Sequence, residues 1–466
     1  MSSGGRSQLM PGQRGCFAFQ RRSQICLVCA LSFAFLILAG NVSALRAGEV
    51  STVGQPAVQS RLWARDEFPI GLWWPPPPGE TNVERYREIA DTGINFVIGG
   101  NGVQDMPRNR AMLVAAEAND LLAIVIDSRL RASASCSEAE LRQIIDRVVA
   151  EYRGYPAFAG FNLYDEPSAD EFERLGLMTS ILRDQVPEAL AYVNLFPTYA
   201  NPVSQLRTST YEEYVDRFVA EVEPPLLSFD HYPLLEDDRG VAMTLDYFRN
   251  WAVIRRAALR EAIPAWIFIQ SVSYHSRRHP NEQEILWQVN ASLAYGAKGI
   301  MYFTYWTPGV DSTEGFGSAL ISRAGERTPL YDAAKRVNLY LQAVGGELLA
   351  LVSESVVHFG ELLTDRLGVQ SFVADDWVAA AVGDPVIISR FRDTPDNPAC
   401  RWLLVVNRSF FKASETRLKL AAGVKTVAVF DAASGGYHPA ATDELVSGEL
   451  VVSLQPGAAR LVRLEH

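Results

Sequence analysis

The chain has 466 residues, 48% of them hydrophobic and 21% charged, with a formal net charge of −11. That length suggests two or three domains, and the composition is that of a globular protein with ample material for cores. The acidic balance argues against a nucleic-acid partner, which needs a basic face.

The N-terminus reads as a targeting segment. Arg14, Arg21 and Arg22 precede an apolar run over 25–39, and the small-residue sites Val42-Ser43-Ala44 and Leu45-Arg46-Ala47 follow. This order of basic region, apolar region and cleavage site describes a signal peptide over 1–47. The run is short for a membrane span. No stable membrane insertion is therefore expected after cleavage, and the mature chain is expected to be secreted or periplasmic; an uncleaved anchor is the alternative. The leader holds five arginines and no acids, so its loss makes the chain five charges more negative. Cys16, Cys26 and Cys29 lie in it, leaving Cys136 and Cys400 far apart and no disulfide framework. Residues 48–67 are polar and read as a linker.

A rhythm then begins. Apolar strand-like runs stand at 68–73, 93–98, 121–126, 157–163, 190–195, 226–229, 264–269 and 299–303. Amphipathic helical patterns follow them in turn at 82–92, 106–119, 137–152, 169–185, 211–222, 245–262, 282–295 and 331–344. Short apolar runs between turn residues fit strands buried on both faces. Eight strands alternating with eight helices predict a (β/α)8 TIM barrel over 68–348, close to the usual ~250 residues of that fold. An open doubly wound sheet is the other architecture, but no glycine-rich phosphate loop follows the first strand, where Gly71-Leu72-Trp73-Trp74-Pro75 stands. Beyond the barrel, nine short β-branched runs separated by turn clusters such as Ser434-Gly435-Gly436 predict a small β-sandwich domain over 349–466.

In a parallel barrel the C-terminal strand tips line the active site. The tips here carry Trp73 and Trp74, Asn101, Asp127 with Arg129, Asp165 and Glu166, Asn194, Asp230 with His231 and Tyr232, Gln270, and Tyr305 with Trp306. Carboxylates, amides and aromatic faces together suit a neutral, polyhydroxylated ligand, because rings stack on sugar C–H patches while Asn, Gln and Asp bond hydroxyls. Each tip residue also has a plainer reading. Asp165 can cap the next helix, Asp230 can open a turn, Asp127 can serve as an ion-pair partner of Arg129, and the tryptophans can be core. Asp165-Glu166, adjacent carboxylates stopped by Pro167, resist that reading, since the pair costs desolvation and repulsion that packing does not return. The six histidines show no zinc-ligand spacing and there is no G-x-S-x-G, so no cofactor or metal is implied.

At these residues the chain resembles the clan A barrel glycoside hydrolases, particularly the catalytic domain of family 42 β-galactosidase-like proteins, over 69–348. The resemblance is carried by Gly160-Phe161-Asn162-Leu163-Tyr164-Asp165-Glu166-Pro167, Ser228-Phe229-Asp230-His231-Tyr232-Pro233, Ala294-Tyr295-Gly296-Ala297-Lys298-Gly299-Ile300 and Gly325-Glu326-Arg327-Thr328-Pro329-Leu330-Tyr331. It implies a carbohydrate substrate and a general acid at Glu166. Two positions depart from the clan pattern: Asp165 replaces an asparagine, and Gln270 stands where a nucleophilic glutamate is expected. Gln cannot act as that nucleophile, so Asp230 is expected to supply the second carboxylate. Trp73, Trp74, Asn101, Asp127, Asp165, Asn194, Tyr232, Gln270, Tyr305 and Trp306 are expected to contact substrate. Gln270 also motivates an alternative of another class, a non-catalytic glycan-binding protein on a hydrolase scaffold. A third reading gathers Asp127, Asp165 and Asp230 around a divalent cation.

Overall fold

The computed structural model describes residues 60–132, 136–237, 240–244, 246–310, 312–360 and 369–466, so the expected leader and most of the expected linker lie outside it. Eight parallel strands close into a barrel: Ile70–Leu72, Phe96–Ile98, Leu122–Val125, Phe158–Asp165, Leu190–Leu195, Leu227–Asp230, Ala265–Gln270 and Gly299–Phe303. Each pairs with its neighbour in sequence order, and the first strand closes the ring against the eighth. The crossover helices are Val83–Ala90, Met106–Glu117, Glu138–Tyr152, Phe172–Gln185, Tyr211–Val222, Tyr247–Glu261, Glu282–Ala294 and Pro329–Leu349. Their starts follow capping chemistry. Ser137 with Glu140, and Asn281 with Glu284, form complete capping boxes.

Alternation along the strands sorts two apolar layers. Phe96, Ile98, Leu122, Ile124, Leu190, Tyr192, Trp266, Phe268 and Met301 fill the barrel interior. Val97, Ala123, Val125, Ala191, Val193, Ile267, Ile269 and Ile300 pack outward among the helices. Gly299 faces the Trp266 indole, which occupies the space where a Cβ would stand, so a large ring on one strand is accommodated by the missing side chain on the next. Residues 60–67 differ from the expected linker. Arg61 Nη1 donates to the carbonyls of Tyr155 (3.0 Å) and Pro156 (2.9 Å), and Leu62 and Trp63 join the interior cluster beneath Trp266. They close the floor because the interior would otherwise expose Trp266 to water.

The C-terminal region forms a seven-stranded and a four-stranded sheet, the latter from Val378–Gly383, Ser414–Leu420, Leu445–Val446 and Glu449–Leu454. Two short strands, Gly436–Pro439 and Leu445–Val446, were not expected from the sequence; both are edge strands too polar or too short to show an apolar period. The larger sheet is buried on both faces. Val386, Ile388, Leu403, Val405 and Val462 meet the smaller sheet, while Ile387, Leu404, Val406 and Leu461 belong to the cluster that contains the barrel helices. Polar bonds fix this seam: Asn290 Nδ2 donates to Gly457 O (2.9 Å), Tyr295 OH meets His358 Nε2 (2.9 Å), and Arg255 Nε donates to Ser353 Oγ (2.9 Å). Lys298 caps the last barrel helix through the carbonyls of Leu348 (2.6 Å) and Leu349 (2.9 Å), and burial lowers its ammonium pKa to about 7. The conspicuous segment around Lys298 is therefore a joint.

Candidate active site

The fourth strand delivers two carboxylates to one place by breaking its own period. Its register with the fifth strand slips between Asn162 and Tyr164, so that Asp165, and not Tyr164, stands opposite the inward-facing Asn194. A β-bulge of this kind re-aims a side chain. Glu166 then takes a left-handed backbone, φ 54°, which costs a non-glycine residue on the order of 1–2 kcal/mol. Tertiary bonds hold it: Glu166 N–H donates to Asn194 O (2.8 Å), and Tyr214 OH donates to Pro167 O (2.7 Å).

Asn194 organises the carboxylates. Ser228 Oγ donates to Asn194 Oδ1 (3.0 Å), and Tyr192 OH lies 2.7 Å from Ser228 Oγ, so Tyr192 is the donor of that pair. With its oxygen thus engaged, Asn194 Nδ2 faces Asp165 Oδ1 (3.3 Å) and Asp230 Oδ1 (3.5 Å). Asp230 ends the sixth strand, buried, and its carboxyl and that of Glu166 act strongly on one another. Burial first, then Asp230 and Asp165, push Glu166 far above the usual carboxylate range, while Asp230 is raised less because Glu166 and Arg277 favour its ionised form. Burial and Asp230 raise Asp165 to about 7. Such a cluster cannot ionise fully, so it keeps one carboxyl protonated beside one carboxylate. Chemically it holds a proton donor next to a base or nucleophile.

The bowl has further members that the strand tips did not announce. Tyr199 lies just beyond the fifth strand, 41% exposed, its ring set edge-on against His231 at 4.9 Å. His231 is buried between Asn250 Oδ1 (2.9 Å) and Thr244 Oγ1 (2.7 Å), and burial holds it neutral, well below its usual range. Arg277 and Tyr274 come from the loop after the seventh strand, and Glu314, from the loop after the eighth, adds negative charge near Glu166. Tyr232 stacks on Phe303 at 5.0 Å and meets Tyr274 edge-on at 5.7 Å, forming an aromatic wall. Reading only strand tips misses such residues. The loop aromatics around Tyr199 and Tyr274 were the available signal.

Several expected substrate contacts have other duties. Gln270 is fully buried; its Oε1 accepts from Leu234 N (3.1 Å), and its Nε2 donates to Leu234 O (3.3 Å) and Arg278 O (2.8 Å). Both amide hydrogens are committed, which leaves none for substrate. The amide instead clamps the root of a hairpin, Leu234–Asp237 with Gly240–Met243, to the loop carrying Arg277. Asp127 is also corrected. Arg129 binds it through Nε (2.9 Å) and Nη2 (2.7 Å), Tyr152 OH donates at 2.7 Å, and against the opposing effect of burial these bonds hold its carboxyl below the ordinary value. Asp127 is thus taken as an ion-pair partner, which also removes it from the three-aspartate cation reading. Tyr305 is fully buried and Trp306 is 5% exposed under the Arg85 guanidinium at 5.3 Å, so neither lines the bowl. Asn101 Nδ2 ties its loop to Pro75 O (2.7 Å). Trp73 and Trp74 are half-buried at the mouth; Trp73 packs on Phe268 at 5.5 Å and over Gly100, whose φ of 136° and missing Cβ both suit that close approach.

No family model matches the sequence, and no curated protein matches it at a significant level. Among solved structures, the β-galactosidase from Bacillus circulans sp. alkalophilus superposes with a TM-score of 0.57 at 9% identity, over 86% of this chain and 99% of that one. A family 42 β-galactosidase from G. stearothermophilus, crystallised as a catalytic mutant, superposes at 0.55 with 8% identity, over 88% and 100% of the two chains. A β-galactosidase from the psychrophilic Marinomonas ef1 matches at 0.45 with 12% identity over 62% of this chain; the chain spans only 63% of that relative. At these identities the likeness is one of architecture, and the expected (β/α)8 barrel followed by antiparallel sheets is what the chain has in common with family 42 β-galactosidases.

Proposed function

We propose that the chain is an exported glycoside hydrolase that cleaves O-glycosidic bonds of an oligo- or polysaccharide. The observation that carries this reading is the cluster of carboxyls at the C-terminal mouth of the barrel, Asp165, Glu166 and Asp230, with Asn194 Nδ2 set between Asp165 and Asp230. Glu166, kept protonated by burial and its acidic neighbours, donates its proton to the glycosidic oxygen as the C–O bond breaks. Asp230 carries the negative charge to the anomeric carbon. The strong mutual influence of the two carboxyls fits the ~5–5.5 Å of a retaining pair better than the ~6.5–9.5 Å of an inverting pair. Asp230 is accordingly assigned as the nucleophile, and Glu166 as the base that activates water in the second step. Asp165 and Asn194 orient the pair. The glycan-binding alternative loses its motive, because Gln270 is engaged with backbone and the second carboxylate stands on the sixth strand.

The architecture shared with β-galactosidases of family 42 supports the substrate class. The leader-like N-terminal sequence supports export, and among the described residues no helix is long and apolar enough to cross a membrane. The test is release of reducing sugar from a polysaccharide and aryl-glycoside panel by wild type, Glu166→Gln and Asp230→Asn. Each substitution is expected to lower turnover by roughly 10²–10⁴-fold or more with the fold intact. Full turnover by Glu166→Gln would refute the assignment.

A further inference from the structure

Arg277 is a cation of the bowl beside Asp230, as Arg131 is beside Asp165, and the surrounding chain treats it unlike its neighbour Arg278. Arg278, the next residue, is paired with Glu284, and Arg129, Arg327, Arg390 and Arg401 all hold carboxylates. Among the described residues Arg277 has no carboxylate within ion-pair distance. Its guanidinium lies over the rings of Tyr199 (4.9 Å) and Tyr274 (5.1 Å), and its buried Nε–H meets no acceptor among the described residues. Aromatic faces support a guanidinium without occupying its donor edge.

Its placement is built. The Arg277 backbone exchanges bonds with Tyr274 (2.8 and 3.0 Å) and bridges Leu235 of the hairpin, while the Gln270 amide holds Leu234 and Arg278 on either side. Tyr199 is in turn set by the buried His231. Fixed flanks on both sides hold this half-buried cation where its charge acts on Asp230. A neutral sugar gives such a group only hydroxyls, whereas a planar carboxylate matches the guanidinium fork with two parallel bonds.

We infer that Arg277, framed by Tyr199 and Tyr274, is the receptor for the carboxylate of a uronic acid residue, and that the substrate is an acidic glycan. The inference rests on the glycosidase reading of the same bowl for its reaction, and on Arg277 alone for its anion. Asp165, Glu166, Asp230 and Glu314 make the rest of the bowl acidic, so a uronate lacking this cation would be repelled. Arg131 acts on Asp165 and Arg277 on Asp230, so the Arg277 guanidinium would seat the uronate carboxylate at the Asp230 end of the bowl and orient the sugar there.

The experiment compares matched ligands on the whole protein. Turnover of aryl α- and β-glucuronides and galacturonides is set beside the corresponding glucosides and galactosides. In parallel, calorimetry measures binding of D-glucuronate and D-galacturonate against glucose and galactose. Wild type is expected to favour one uronate over its neutral partner, and Arg277→Met to reduce that preference by roughly ten- to hundred-fold, with Arg277→Lys between them. Uronate binding without turnover of any glycoside would sustain the anion site while refuting the glycosidase reading. A preference of wild type for the neutral sugar, or no uronate binding at millimolar concentration, overturns the inference without recourse to a variant. An equal loss on both ligand classes in a folded Arg277→Met protein also overturns it, and makes Arg277 only the counter-ion of Asp230.

Discussion

Gln270→Glu separates a clamp from a lost nucleophile. The substitution is isosteric, but it replaces an NH2 that donates to Leu234 O and Arg278 O with an oxygen that faces both carbonyls in a fully buried site. Two bonds are lost and two acceptors are left unpaired; at about 1 kcal/mol per bond plus about 1–3 kcal/mol for a desolvated group, the ionised form costs about 3–5 kcal/mol. Protonating the new carboxyl restores one donor, so its folded pKa is raised above the ordinary glutamate value of about 4.3. The folded state then binds the proton more tightly than the unfolded state. The penalty is therefore smallest below pH ~4, grows as the pH rises towards the folded pKa, and is constant above it. For a unit of this size a stability change of that order lowers Tm by about 3–8 °C. Thermal unfolding followed by circular dichroism at pH 4, 6 and 8 measures it, beside glycoside turnover at each pH. A variant as stable as wild type at pH 8 would refute the clamp, and a gain in turnover would restore the seventh strand as the source of the nucleophile.

Asp165→Asn should stabilise the protein. The folded Asp165 carboxyl is raised to about 7 by burial and Asp230, against about 3.9 unfolded, so wild type loses stability as pH rises between those values. The Tm advantage of the variant should be absent below pH ~4, grow to pH 7 and stay level beyond; a difference independent of pH would contradict the burial argument. Asp127→Asn should lose about 1–3 kcal/mol, since Arg129 keeps Glu151 but Tyr152 and Arg129 lose their charged acceptor. Its KM should match that of wild type. A raised KM at unchanged Tm would return Asp127 to the substrate contacts.

Much of the architecture was legible because it depends on local period and burial. Barrel strands buried on both faces must be short and apolar, crossover helices must be amphipathic, and the positions of runs such as 190–195 and 299–303 coincide with observed strands. Residues 60–67 were not legible, since their polar composition hides the contribution of Leu62 and Trp63 to the floor.

For the site, the chain by itself determined that Asp165, Glu166 and Asp230 stand at strand ends, because a proline and a turn stop those strands there. Which way the side chains point was decided by the slipped register at Asn162–Tyr164, a property of pairing with the fifth strand that no alternation pattern contains. Identical residue types also parted company in space. Asp230 found another carboxylate and Asp127 found Arg129; Gln270 was consumed by the backbone of Leu234 and Arg278, while Arg277 nearby found two aromatic rings. The sequence specifies which groups are available, but whether a group is satisfied depends on partners distant along the chain. Tyr199, Asp230 and Arg277 meet in one bowl because the fifth, sixth and seventh strands pair side by side in parallel, which sets the loops after them next to one another.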